Sequence, residues 1–133
     1  MLGNSASTAL VKALVADDEE IIADSLAAIL THAGYETRAV YSGKEAVETA
    51  LTFQPNLLIC DVVMPAISGI DAAIEVRAKL PSCNIFLLSG RAEMWGLLEK
   101  ARRQGHEFEL ISKPIHPTEL LAKLASSASL QSA

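Results

Sequence analysis

Five polar side chains in this sequence fall where short apolar runs stop. Asp17 and Asp18 follow one run, Asp61 ends another, Ser89 ends a third and Lys113 a fourth. Carboxylates gathered at one point repel, and the ionised form of each is disfavoured unless a cation compensates. All-oxygen ligation suits a hard ion, and Mg²⁺ takes one or two carboxylates plus phosphate oxygens while keeping several waters. No cluster of Cys and His offers a zinc site instead. An ionised Asp is also a nucleophile toward phosphoryl groups, whose equatorial oxygens ask for a metal ion, an ammonium and a hydroxyl donor. The chemistry expected is phosphoryl capture. Asp61 attacks, Asp17 and Asp18 hold Mg²⁺, Lys113 offsets charge, and Ser89 donates a hydrogen bond to the product phosphoryl.

For these residues to meet, the chain must carry them to one rim. Lys12 to Ala16, Glu36 to Val40, Leu57 to Cys60, Ile85 to Leu88 and Phe108 to Ser112 read as short strands. Between them run helical patterns: Ile22, Leu26, Ile29, Leu30 and Ala33 with Gly34 as the stop; Gly43 to Thr52; Ile70 to Leu80; and Ala92 to Gln104 with Gly105 as the stop. Pro117 opens a last helix with Leu120, Leu121 and Leu124 as its buried stripe. Strands alternating with helices argue a parallel sheet covered on both faces. In such a sheet ligands bind beyond the carboxyl ends of the strands, which is where the five polar residues fall.

Composition narrows the class further. The chain has 133 residues, enough for one ordinary domain. A formal charge of −5 gives no general attraction to nucleic acid or to anionic lipid, so direct nucleic-acid binding is not expected. Apolar runs such as Ile85 to Leu88 are far too short to span a bilayer. The amino-terminal stretch lacks a basic region and Lys12 interrupts its apolar run, so no signal peptide is read and the cytoplasm is expected. Residues 1–10 read as a disordered lead-in, 11–125 as the folded unit and 126–133 as a flexible tail or the start of a linker. Cys60 and Cys83 are expected as reduced thiols, Cys60 facing away from Asp61 and Cys83 at the far rim, too distant for a disulfide.

The set Asp17-Asp18-Glu19-Glu20, Asp61-Val62-Val63-Met64-Pro65 with Ser68-Gly69, Ser89-Gly90 and Lys113-Pro114 resembles the receiver domain of two-component response regulators across nearly the whole chain. That resemblance implies a flavodoxin-like, doubly wound (βα)5 fold with strand order 2-1-3-4-5. It implies Asp61 as phosphoacceptor from a histidine kinase or phosphotransfer protein, and Mg²⁺ bound by Asp17, Asp18, Asp61 and the backbone carbonyl of Val63. Ser89 and Lys113 then sense the phosphoryl group. It also implies a cis peptide at Lys113-Pro114 and an effector or homodimer surface on helix four, strand five and helix five. Such a domain is no conventional enzyme, though it catalyses its own phosphorylation and dephosphorylation.

Departures from the family pattern sharpen the expectations. Leu110 stands where receivers place a switching aromatic, and it reads as a strand residue packed under helix four. Arg91 borders the phosphoryl site in the family and is read as a modulator of hydrolysis, against a solvated arginine in a helix's first turn. Trp95 is either a core aromatic or an exposed anchor. His32, His106 and His116 read as solvated surface, and Glu19 and Glu20 as helix-start acids. Two other functions compete. A haloacid dehalogenase-like phosphatase needs a second Asp two residues after its nucleophile, and Val63 stands there. A degenerate receiver, binding partners without phosphorylation, predicts loss of acids or lysine, and none is lost. No effector segment is read, so output is expected through contact with other proteins or from a larger regulator.

Overall fold

The computed structural model describes residues 10–90 and 94–132. Strands and helices alternate along it as β1 (Lys12–Ala16), α1 (Glu20–His32), β2 (Glu36–Val40), α2 (Gly43–Phe53), β3 (Leu57–Asp61), α3 (Gly69–Lys79), β4 (Asn84–Ser89), α4 (Met94–Arg103), β5 (Glu109–Ser112) and α5 (Pro117–Ser132). The strands form one sheet in the order β2-β1-β3-β4-β5, every pair parallel. This is the flavodoxin-like order expected from the sequence, in which strand order reverses between β1 and β3.

Period-two alternation along buried strands divides the core into two layers. Leu14, Leu58, Cys60, Ile85 and Leu87 face α2 and α3, where Ala46, Phe53, Ile70 and Val76 meet them. Ala13, Val15, Leu57, Ile59, Phe86 and Leu88 face α1 and α5, where Leu26, Leu30, Leu120 and Leu124 close the layer. Each large aliphatic buried in this way contributes roughly 1.5–3 kcal/mol of transfer free energy. β1 and β3 are buried along almost their whole length, so their near-continuous apolar sequences match strands covered on both faces. β2, at one edge, carries exposed Glu36 and Arg38.

Helix ends follow local chemistry. Ser42 and Ser68 accept hydrogen bonds from the N–H groups of Glu45 and Asp71 at 3.1 Å, capping α2 and α3. Gly34 and Gly105 take φ of +103° and +91° after α1 and α4, a conformation that costs other residues strain. The N–H of Tyr35 reaches back to the Leu30 carbonyl and that of His106 to the Ala101 carbonyl, closing both helices as Schellman motifs.

α5 runs from Pro117 to Ser132. Its Ser-Ala-Ser-Leu-Gln sequence contains no Pro or Gly to stop a helix already nucleated at Pro117. The lead-in over residues 1–9, Arg91 and the side chain of Trp95 lie outside the described residues.

Cys60 and Cys83 are both buried and unpaired. Cys60 pairs in register with Leu87, whereas Cys83 precedes the first residue of β4, so the two thiols sit toward opposite ends of the sheet. Burial pushes both thiols up, that of Cys83 to about 12. Only the thiolate reacts, so at neutral pH labelling of the native protein is expected to be slower than that of the unfolded chain by roughly three orders of magnitude. Both cysteines should react together as denaturant crosses the unfolding midpoint; a fast single-site reaction in the native state would contradict this packing.

Candidate functional site

β1 and β3 are neighbours at the centre of the sheet, and both end in acid. Asp17 follows β1 and is fully buried, Asp61 closes β3 and is 5% exposed, and Asp18 lies exposed beside them. One carboxylate oxygen from each falls within 4.8 Å of the others. Alternation along β3 places Ile59 and Asp61 on the α1 and α5 side and Cys60 on the other, as the sequence suggested. β5 carries in the counter-charge: Lys113 Nζ lies 3.4 Å from Asp61 Oδ1 and 3.6 Å from Asp17 Oδ2. The backbone of Lys113 is tied to the same rim, its N–H donating to the Ser89 carbonyl at 3.0 Å, and its peptide to Pro114 is cis.

The two buried aspartates are electrostatically unfavourable in this arrangement. Burial raises the Asp17 carboxyl above the ordinary carboxylate value, against the pull of the Glu19 N–H and Lys113. Asp61 is raised first by burial and next by the charge of Asp17, with Lys113 opposing. Asp17 Oδ1 accepts the Glu19 N–H at 2.9 Å, but its buried Oδ2 accepts no hydrogen bond. A buried carboxylate oxygen with no hydrogen bond, sharing one ammonium with a second buried carboxylate and lying near a third, fits a hard divalent cation bound through oxygen.

Beside these acids the surface opens into a cleft lined by Glu19, Val63, Gly90, Lys113 and Pro114. Val63 is 53% exposed there. Ser89 ends β4 half-buried on the same rim, but its neighbour Gly90, rather than Ser89, lines the cleft. Leu110 lies on β5, half-buried against the α2–α3 layer together with Leu98 of α4. Asp17, Asp18, Asp61, Val63, Ser89 and Lys113 are thus brought to one end of the sheet, and Arg91 lies outside the described residues.

Two positioning features were not legible in advance. Glu19, read only as a helix-start acid, occupies the N-cap position of α1 in an extended backbone conformation, without a side-chain capping bond, and holds Asp17 through its N–H. An Asp two residues before the N-cap of a helix is the pattern of an Asx-turn, which is the signal that points to it. Gly69, present in the family motif but without a stated reason, packs against the backbone of Asp61. A Cβ at Gly69 would lie 1.8 Å from the Asp61 carbonyl oxygen and 2.7 Å from its carbon.

A five-stranded 2-1-3-4-5 sheet with buried acids at the ends of its central strands and a lysine on the last defines a receiver domain. The chain belongs to the response regulator receiver domain family, whose profile matches residues 13–125. It is 30% identical over 114 residues to the chemotaxis protein CheY of Thermotoga maritima, covering 85% of this chain and 93% of that one. It is 38% identical over 111 residues to the transcriptional regulatory protein PdtaR of Mycobacterium tuberculosis, 83% of this chain but 53% of that longer protein. The chain therefore spans about half the length of PdtaR. Among solved structures, a CheY-like receiver domain protein from Methanospirillum hungatei shares the fold with a TM-score of 0.84 at 24% identity, covering 93% and 98% of the two chains. The chemotaxis protein CheY4 of Vibrio cholerae matches with a TM-score of 0.77 at 27% identity, covering 89% and 98%. Receiver domains of two-component systems bind Mg²⁺ at an acidic pocket and interact with histidine kinases and downstream effectors. Among the described residues no helix is long and apolar enough to cross a membrane.

Proposed function

We propose that this chain is a phosphorylation-dependent signalling receiver in which Asp61 accepts a phosphoryl group from the phosphohistidine of a sensor kinase or phosphotransfer protein. The reading rests on one observation: Asp61 opens to a cleft with the Lys113 ammonium 3.4 Å away, beside a buried Asp17 oxygen without a hydrogen bond. Mg²⁺ is assigned to the carboxylates of Asp17, Asp18 and Asp61 and the Val63 carbonyl, where it supplies positive charge to the phosphoryl oxygens. An oxygen of Asp61 forms the new bond to phosphorus while the bond from phosphorus to the donor's imidazole nitrogen breaks, its electron pair leaving with that nitrogen. Lys113 compensates charge on the Asp61 carboxylate, and Ser89 donates a hydrogen bond to the product phosphoryl.

Access for a macromolecular donor is supported by an apolar groove beside the cleft, formed by Ile21, Ile22 and Ile29 of α1 with Pro114 and Ile115. Ile21 is 82% exposed, which for a large aliphatic next to a reactive site suits a docking partner. Output is assigned to a downstream effector or a second copy meeting the α4, β5 and α5 face, in the cytoplasm, through the folded unit of residues 11–125. The added phosphoryl charge biases a pre-existing equilibrium between two conformers.

Incubation with Mg²⁺ and acetyl phosphate, followed by intact-mass and peptide analysis, tests the reading. One phosphoryl group on Asp61, lost when Mg²⁺ is chelated beforehand, is the expected result. No adduct at Asp61 under any condition would leave a phosphorylation-independent binding module instead.

A further inference from the structure

On the α3 and α4 side of the sheet, Ala101 of α4 is buried and Leu98 half-buried, while α3 buries Ile70, Ala72, Ala73 and Val76. The space left between α3, α4 and the amino ends of β4 and β5 is a cavity of about 480 Å³, toward the rim opposite Asp61. That volume lies within the usual range of small-molecule pockets. Its apolar lining comes from Ile85, Leu98, Phe108 and Leu110.

Two arginines line the cavity, and they differ. Arg102 is spent on Glu99, whose two carboxylate oxygens it engages at 3.1 and 2.8 Å. Arg77 has no ion pair among the described residues: its guanidinium lies 4.8 Å over the Phe108 ring, and Nη1 donates to the Glu107 carbonyl at 2.8 Å. A guanidinium carries five N–H donors in a fixed fork, so most of its capacity for a planar anion is unused. Ring and loop hold it in place, which lowers the entropy lost on engaging such a group. Glu107 and Glu109 stand exposed on the same rim, so an anion would be selected by the fork at short range and not by the long-range field.

We propose that this cavity is a second ligand site, for a small planar carboxylate whose apolar body lies under α4 and whose carboxylate meets Arg77. The site is independent of the phosphoacceptor reading, since none of the residues assigned to phosphoryl chemistry lines it.

Titration of the isotope-labelled full chain with 2-naphthoate and with its neutral amide, followed by amide chemical shifts, tests it. Saturable shifts centred on Leu98, Phe108 and Leu110 are expected, with the acid binding about tenfold tighter than the amide. Arg77→Leu should bring that ratio close to one, and Arg77→Lys should retain part of it. Because Arg77 also braces the loop at Glu107, Leu98→Trp is the companion variant, filling the cavity and abolishing binding of both compounds without touching the cation. Shifts that do not saturate, equal affinity for acid and amide in the unaltered chain, or binding that survives Leu98→Trp would overturn the proposal.

Discussion

Asp61→Asn is expected to take up no phosphoryl group from acetyl phosphate and, in metal-free buffer, to unfold at a higher temperature than the unaltered chain. Both outcomes come from one carboxylate. An amide is no nucleophile toward phosphorus, so uptake should fall below detection instead of merely slowing. At the same time the substitution removes one of two buried like charges whose oxygens lie within 4.8 Å. At an effective dielectric of about 20 such a pair repels by roughly 3 kcal/mol, of which Lys113 already offsets a large part. A net gain on the order of 1 kcal/mol corresponds to roughly 4 °C in a domain of this size.

The sign of the pH dependence follows from the raised carboxyls. The folded state holds protons on Asp17 and Asp61 above the ordinary value of 3.8, where the unfolded chain has released them. Between that value and the raised ones the folded state binds more protons, so their contribution to stability is fully present below 3.8 and is lost as pH rises through the folded values. Metal-free protein should therefore lose stability from these groups on going from mildly acidic to neutral pH, and Asp61→Asn should flatten that slope. Mg²⁺ reverses the comparison: at tenfold its dissociation constant it adds about 1.4 kcal/mol to the unaltered chain. Thermal unfolding with and without Mg²⁺ measures all of this, and a variant less stable than the unaltered chain in chelator would show that the acids do not strain the fold.

Gly69→Ala is expected to cost about 3 kcal/mol, a large share of the total stability of a small domain. The methyl would meet backbone, with the Asp61 carbonyl oxygen at 1.8 Å and Val62 Cα at 3.0 Å, so no side chain can rotate away to admit it. Relief requires α3 to move off β3, breaking the hydrogen bond from the Gly69 N–H to the Val62 carbonyl at 2.9 Å. Gly96→Ala is the control: that position faces open space on α4, and there alanine should stabilise by up to about 1 kcal/mol. Denaturant unfolding of both variants decides, with loss of soluble Gly69→Ala alone counting as the same result in stronger form. The adduct at Asp61 should also diminish in whatever fraction folds, because the shifted carbonyl belongs to the residue proposed as phosphoacceptor. Equal stability of the two variants would show that the close approach is not a constraint.

Most of the fold was legible because buried parallel strands write themselves as short apolar runs and helices as four-residue spacing. Leu57 to Cys60 and Lys12 to Ala16 had no competing reading, and an acid directly after each run marked where the strand met solvent. Asp17, Asp61 and Lys113 could be joined in advance because topology sends all strand ends of a parallel sheet to one rim. Backbone proximity was not legible. Nothing in the residue types of Ser68-Gly69 states that the glycine lies against the Asp61 carbonyl, and nothing in Glu19 states that its N–H anchors Asp17.

The acids and their counter-charge enter the site at different times during synthesis. Asp17 and Asp61 end β1 and β3, which pair with each other, whereas Lys113 follows β5, the strand at the opposite edge from β2. A ribosome releases β1 to β3 well before β5, so the ammonium that balances the two acids is the last part of the site to be made. A chain interrupted before Lys113 would lack that counter-charge. The edge of the sheet, not its centre, thus decides when the site becomes electrostatically complete.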